Sequence, residues 1–233
     1  MNNRSTRSTA GRTARAARVL ILSLCSALAL GASAGGCTRA YYSAMEQVGQ
    51  HKRDILRSRI EAGQEEQQEA QEQIKTTYER FKEAADYEGG DFESVYNDLN
   101  DEYERSQARA AAVTDRIASI DQVASDLFAE WEEEIEIIGR ANLQAQSRAS
   151  LTATRQRYAT LIGAMKRAES KMPPVLDAFR DQVLFMKHSL NARAIASIEG
   201  TVGEIENDVE TLIQDIDASI RESERFLDAF DED

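Results

Sequence analysis

The chain has 233 residues, 42% of them hydrophobic and 30% charged, with a formal net charge of −13. That length gives one domain with a sizeable core, or two small ones. With only 2 Pro and 12 Gly there is too little punctuation for a sandwich or barrel, and 2 Cys and 2 His provide neither a disulfide framework nor an imidazole-rich metal site.

Residues 1–36 carry Arg4, Arg7, Arg12, Arg15 and Arg18 and no Lys, Asp or Glu. They lead into an apolar run, Val19 to Leu30, which has export-signal length and is shorter than the roughly 20 residues of a membrane-spanning helix. Ala34-Gly35-Gly36-Cys37 then resembles the lipobox of bacterial lipoproteins, with Ala34 where Leu is commonest. The resemblance implies that Cys37 is diacylated as the mature N-terminus. Ala32-Ser33-Ala34 offers the alternative of ordinary signal-peptidase cleavage and a soluble periplasmic product. The position of Cys37 favours the lipid, because a lone thiol has no evident use in an oxidising compartment. Thr38, rather than Asp, follows the Cys. By the same resemblance this implies the outer membrane of a two-membrane bacterium, on its periplasmic face.

The expected organisation is an export signal over 1–36 and a single elongated helical domain over 37–233. Removal of the signal takes five Arg from 28 basic residues, leaving 23 against 41 acidic ones, a net charge of −18. Such a surface repels phosphate over about a Debye length, roughly 8–10 Å, so no nucleic-acid partner is expected.

Segment 39–86 is rich in strong helix formers, although its polar middle, Gln64 to Gln73, suggests loose packing there. Glu88-Gly89-Gly90 breaks the helix and Asp91 is the natural N-cap of the next. Phe92, Tyr96, Leu99, Tyr103, Ser106, Ala110, Val113, Ile117, Ile120, Ala124, Leu127 and Trp131 then follow in alternating steps of four and three, with Ile135 and Ile138 after one slip. A seam this long predicts a coiled-coil helix over 91–138, about 72 Å in length.

Gly139-Arg140-Ala141-Asn142 marks the next break. Leu151, Thr154, Tyr158, Leu161, Met165, Ala168 and Met172 form a third seam, and Pro173-Pro174 is expected to end that helix and open another. The last segment carries Leu176, Phe179, Val183, Met186 and Leu190, slips phase near Ala194, and resumes from Ile198 to Phe230. Gly200 and Gly203 near the slip suggest a bend.

Segment 91–138 holds 14 acidic and 3 basic residues, whereas 139–172 holds 7 basic residues and only Glu169. Opposite charges flanking the two seams favour antiparallel pairing of these helices. The fold class expected is all-α, an elongated antiparallel bundle or coiled coil of about four long helices. Spare seam surface would also permit homo-oligomers.

Four stretches stand out: Tyr41-Tyr42-Ser43-Ala44-Met45-Glu46, His51-Lys52-Arg53-Asp54-Ile55-Leu56, the turn Gly89-Gly90-Asp91 with Tyr96-Asn97-Asp98-Leu99-Asn100-Asp101-Glu102-Tyr103-Glu104, and Lys187-His188-Ser189-Leu190-Asn191-Ala192-Arg193-Ala194-Ile195-Ala196-Ser197. With the Cys37 motif, they resemble an uncharacterised family of bacterial envelope proteins catalogued only as a domain of unknown function, its members described as coiled-coil lipoproteins. The resemblance spans nearly all of the mature chain. It implies location and helical character, and no activity, substrate or cofactor.

The residues themselves point to no reaction. Gly89-Gly90-Asp91-Phe92-Glu93 has the look of a diguanylate-cyclase signature with two residues exchanged, but it joins two helices where that signature needs a hairpin. Neither His51 nor His188 has the Glu three residues before it that a di-metal bundle uses. Phosphate-binding glycine loops and nucleophile elbows do not occur. No catalytic residue, metal or cofactor is expected.

The one polar cluster singled out is Lys187, His188, Asn191 and Arg193. His188 and Asn191 are helix neighbours at i and i+3. They fit either a buried layer that fixes helix register or a docking site for an unidentified protein partner. The expected function is that of a non-enzymatic envelope lipoprotein, attached to the membrane by its N-terminal lipid and serving as a periplasmic scaffold or spacer. The second reading is an accessory or regulatory adaptor of an envelope transporter or cell-wall enzyme.

Overall fold

The computed structural model describes residues 52–232; Cys37, Tyr41, Tyr42 and His51 lie outside the described residues. Four helices follow one another: α1 (Lys52–Ala85), α2 (Phe92–Ile137), α3 (Ala141–His188) and α4 (Ala192–Glu232), and no strand occurs among the described residues. Each packs on its neighbours in the chain, and α4 closes the ring against α1. Residue numbers run in opposite directions across each interface, as in an up-down-up-down bundle. On α2, the Lys52 ammonium meets Glu130 at 2.8 Å and Gln73 donates to Glu102 at 2.7 Å. On α4, the amides of Gln64 and Gln71 reach the carbonyls of Ile220 and Ile213.

The seam of α1 runs through Leu56, Ile60, Gly63, Gln67, Ala70, Ile74, Thr77, Phe81 and Ala84, all buried and spaced in alternating fours and threes. The polar middle is therefore not loosely packed. Gln67 and Gln71 are buried there because α4 supplies partners: Ser219 donates to Gln67 at 2.9 Å, and Gln71 donates to Asp217 at 2.7 Å.

Asp91 caps α2 as expected, its carboxylate accepting from the Ser94 amide at 3.1 Å. The 46 residues of α2 make about 69 Å of helix. Its seam is buried at Leu99 and from Ser106 to Ala124, with Tyr103 half-buried and Glu102 buried beside it; beyond Ala124, Phe128 faces the core and the expected Leu127 and Trp131 are only half-buried. The phase slip thus comes one heptad, about two turns, earlier than the spacing predicts.

Pro173 and Pro174 do not stop α3, which is continuous from Ala141 to His188. A proline inside a helix costs about 3 kcal/mol through its lost N–H and its clash with the preceding turn. Both prolines are exposed, where water can satisfy the freed carbonyls, while Met172, Val175 and Phe179 stay fully buried in unbroken seam spacing. Burial of those side chains offsets the cost. The real break falls at Ser189–Asn191, close to the expected phase slip near Ala194, and Gly200 and Gly203 sit on the exposed face of a continuous α4.

The core has its largest side chains at two levels. Phe81 stacks on Phe179 with centroids 4.8 Å apart, joining α1 to the diagonally opposite α3. Nearer Lys52, Phe128, Tyr158, Phe226 and Phe230 form a chain of ring contacts, and the Arg53 guanidinium lies 4.3 Å over Phe230. The expected α2–α3 charge pairing is present: Arg148 meets Glu136, Arg155 meets Glu132 and Lys166 meets Asp121, at 2.7–2.8 Å. These pairs are exposed and select partners more than they stabilise.

Candidate functional site

The antiparallel order puts one of the three turns at one end of the bundle and two at the other. Lys52 and the α2–α3 turn share one end; the α1–α2 and α3–α4 turns share the other. Lys187, His188, Asn191 and Arg193 are brought together at the α3–α4 turn, and all four are exposed. Asn191 is a helix cap, its side-chain oxygen accepting from the Arg193 amide at 2.9 Å while its carbonyl accepts from the Ala194 amide. A register layer requires burial, so these residues do not provide one.

Buried polar layers occur elsewhere. Fully buried Thr77 and Ser106 share a hydrogen bond of 2.7 Å between α1 and α2, and Thr77 also donates to the Glu102 carbonyl. Burial pushes the Glu102 carboxyl up, but hydrogen bonds from Arg105 and Gln73 outweigh it and hold the group below its usual range. The second layer is Gln67, Gln71, Ser219 and Asp217 between α1 and α4. Both were readable in principle, since Gln67 and Thr77 fall on the α1 seam positions.

Around the α3–α4 turn the sequence signal that was missed is a charge gap. Gln182 to Ile198 contains Lys187, His188 and Arg193 and no Asp or Glu, in a chain with 41 acidic residues. Leu184, Phe185 and Leu190 in the same stretch are 47%, 39% and 43% exposed. Large apolar groups beside basic ones on an otherwise acidic surface suit contact with another molecule better than they suit water.

Features that would support catalysis are weak. A cleft of about 240 Å³ between α1 and α2 is lined by Arg80, Glu83, Tyr87, Asp91 and Asp98, among others. Its Arg80 is already paired with Glu83 at 2.7 Å. A groove of about 390 Å³ between α2 and α3 is lined by Ala110, Ala111, Met172 and Leu176 and by the polar Gln107, Lys166 and Glu169, among others. The Tyr158 phenol is held far above its ordinary value, first by burial and then by its 2.9 Å hydrogen bond to Asp121, which suits a structural donor. Among the described residues no three His, Cys, Asp or Glu are grouped to hold a metal, and no helix is long and apolar enough to cross a membrane.

Residues 41–230 match the family described as a protein of unknown function, DUF2959. The chain belongs to DUF2959. The match begins ahead of α1 and ends in the last turn of α4, so the DUF2959 region takes in essentially the whole four-helix bundle. No curated protein and no solved structure matches the chain.

Proposed function

We propose that this DUF2959 chain is a non-enzymatic structural lipoprotein of the bacterial cell envelope. Acylated Cys37 holds it on the periplasmic face of the outer membrane, and the bundle acts as a spacer that presents its far end to the periplasm. The observation that carries the reading is the placement of the two ends. The chain enters the bundle at Lys52, and the apolar, acid-free α3–α4 turn lies at the opposite end, a full α1 length of 34 residues or about 51 Å away. A tether at one end and a contact surface at the other is the arrangement a spacer needs. Mass spectrometry of the mature N-terminus, with outer-membrane fractionation of wild type and Cys37→Ser, tests it. A diacylated Cys37 and release of the variant are expected; an unacylated N-terminus, or a variant that still pellets, refutes the tether.

The exposed Leu184, Phe185 and Leu190 beside Lys187 and Arg193 favour a second reading, an adaptor that regulates an envelope transporter or cell-wall enzyme. Photo-crosslinkers at positions 185 and 190 in cells separate the two. An adaptor gives one partner of defined stoichiometry whose activity changes when the chain is removed; a passive spacer changes no partner's activity.

A further inference from the structure

The most exposed large apolar side chain among the described residues is not at the α3–α4 turn. Ile137, in the last turn of α2, is 84% exposed; Leu143, in the first turn of α3, is 44% exposed, and Ile138 between them is half-exposed. They flank the α2–α3 turn, at the end where the chain enters α1. Lys52 contacts Glu130, seven residues before Ile137, so this turn stands about 10 Å beyond the first residue of α1. It juts out at the end of the bundle where α1 begins.

We propose that the α2–α3 turn docks on a lipid surface, with Ile137, Ile138 and Leu143 seated among the headgroups and upper acyl chains. The inference rests on the Cys37 tether of the proposed function and adds a second point of contact. Only residues 38–51 separate Cys37 from Lys52. Fourteen residues span at most about 50 Å even fully extended. A lipid on Cys37 therefore confines the turn to within a few nanometres of the bilayer. At that effective concentration, in the millimolar range, a contact of three aliphatic side chains suffices, although it would be negligible for an untethered protein. Charge selects the lipid. Glu132, Glu133, Glu134 and Glu136 lie just behind the turn, with Arg140 within it, which favours a zwitterionic surface over an anionic one.

Trp131 is the only tryptophan of the chain and reports on this event. It is half-buried, donates to Ser147 at 2.9 Å, and sits six residues from Ile137, about 9 Å along the helix. With the turn seated, Trp131 is at headgroup level. The mature protein is reconstituted into phosphatidylcholine vesicles carrying a nitroxide on the headgroup, and Trp131 emission is compared for wild type and the Ile137→Ser, Leu143→Ser double variant. The exposed side chains leave the melting temperature unchanged, and the docked-to-undocked ratio falls about tenfold in the variant. Quenching in wild type that largely disappears in the variant, and weakens when phosphatidylglycerol is included, supports docking. Equal quenching in both, or none in either, overturns it. Concentration-dependent dimers that the double variant abolishes, without quenching, also overturn it by making the turn a contact between copies. If the isolated protein carries a free Cys37 thiol, that thiol is coupled to a maleimide lipid and the same comparison is made. The natural tether can then fail while the turn still docks, or hold while it does not.

Discussion

Replacing Thr77 with Val tests whether the polar layer between α1 and α2 acts as a unit. Val is nearly isosteric and removes only the hydroxyl, at a site that is fully buried. Three hydrogen bonds go with it: the 2.7 Å bond shared with Ser106, the 3.2 Å bond to the Glu102 carbonyl, and the 3.1 Å bond accepted from Gln73. Ser106 retains the chance to donate to the carbonyl one turn earlier on α2, which moderates its desolvation. The cost of Thr77→Val is therefore about 1–2 kcal/mol, a fall in melting temperature of about 3–6 °C for a domain of this size. Ser106→Ala costs less, about 0.5–1 kcal/mol, because Thr77 keeps its other two partners. In the double variant both unsatisfied groups are gone, and its cost lies below the sum of the single costs by about 0.5–1 kcal/mol. Urea melts followed by circular dichroism give the cycle. Strict additivity, or a neutral Thr77→Val, would show that the two hydroxyls are not coupled and would remove the basis for treating the layer as a register device.

Four further outcomes follow from the packing and the charge pairs. Pro174→Ala restores an N–H to the middle of a continuous, exposed helical face and should stabilise the fold by about 1–3 kcal/mol, read as a raised urea midpoint; an unchanged midpoint would place the cost of that proline elsewhere. Gly63 lies where a Cβ would come within 2.8 Å of Ile120 Cδ1, so Gly63→Ala gains nothing in wild type. In an Ile120→Val background the same substitution should add about 1 kcal/mol of helix propensity. Phe179→Ala removes the partner of Phe81 from a fully buried site and should cost about 3–5 kcal/mol by the same melts. A hydrogen bond from Lys166 holds the Asp121 carboxyl below its usual range, against burial and with help from Tyr158. A carboxyl depressed in the folded state stabilises fully above its unfolded value of about 4 and loses that contribution as pH falls through the folded value. Asp121→Asn should accordingly flatten the acid limb of the melting-temperature profile, and an unchanged limb would rule the pair out as a contributor.

What the sequence conveyed well were the features fixed by local chemistry. The middle of the α2 seam from Ser106 to Ala124, the Asp91 cap, the break after Ile138 and the opposite charges of α2 and α3 each depend on a few neighbouring residues, and each appears where the spacing placed it. Features decided by partners remote in the chain were misread. The Gln64–Gln73 stretch looks poorly packed until α4 brings Ser219 and Asp217 to it, more than 140 residues away. Pro173-Pro174 is a stop signal in isolation, and only the buried Met172, Val175 and Phe179 on either side carry the helix through. The polar residues at 187–193 fit a buried layer in the sequence only because the helix break at Ser189–Asn191, which leaves them exposed, is not marked by a Gly or Pro.

The same polar layers bear on how such a bundle would serve as a spacer. A pure heptad seam specifies register weakly, because sliding one helix by seven residues, about 10 Å, again sets apolar side chains against apolar ones. On α1 the layers face different neighbours: Thr77 engages Ser106 on α2, while Gln67 and Gln71 engage Ser219 and Asp217 on α4. A slip of α1 against either helix would strand buried hydroxyls and amides opposite hydrocarbon, at about 1–3 kcal/mol for each group. The oppositely charged faces of α2 and α3 add a further preference through Asp121, Glu132 and Glu136. A chain whose proposed task is to hold two contacts a set distance apart gains more from fixed register than from extra stability, which would explain polar groups at positions where Leu would bind more tightly. Replacing Gln67, Gln71, Ser219 and Thr77 together by apolar residues of similar size should then leave the melting temperature equal or higher. Spin labels near the two ends of α1 and α4 should at the same time give a broadened or multiple distance distribution in place of a single one. A single sharp distance in that variant would mean that shape complementarity of the apolar side chains alone sets the register.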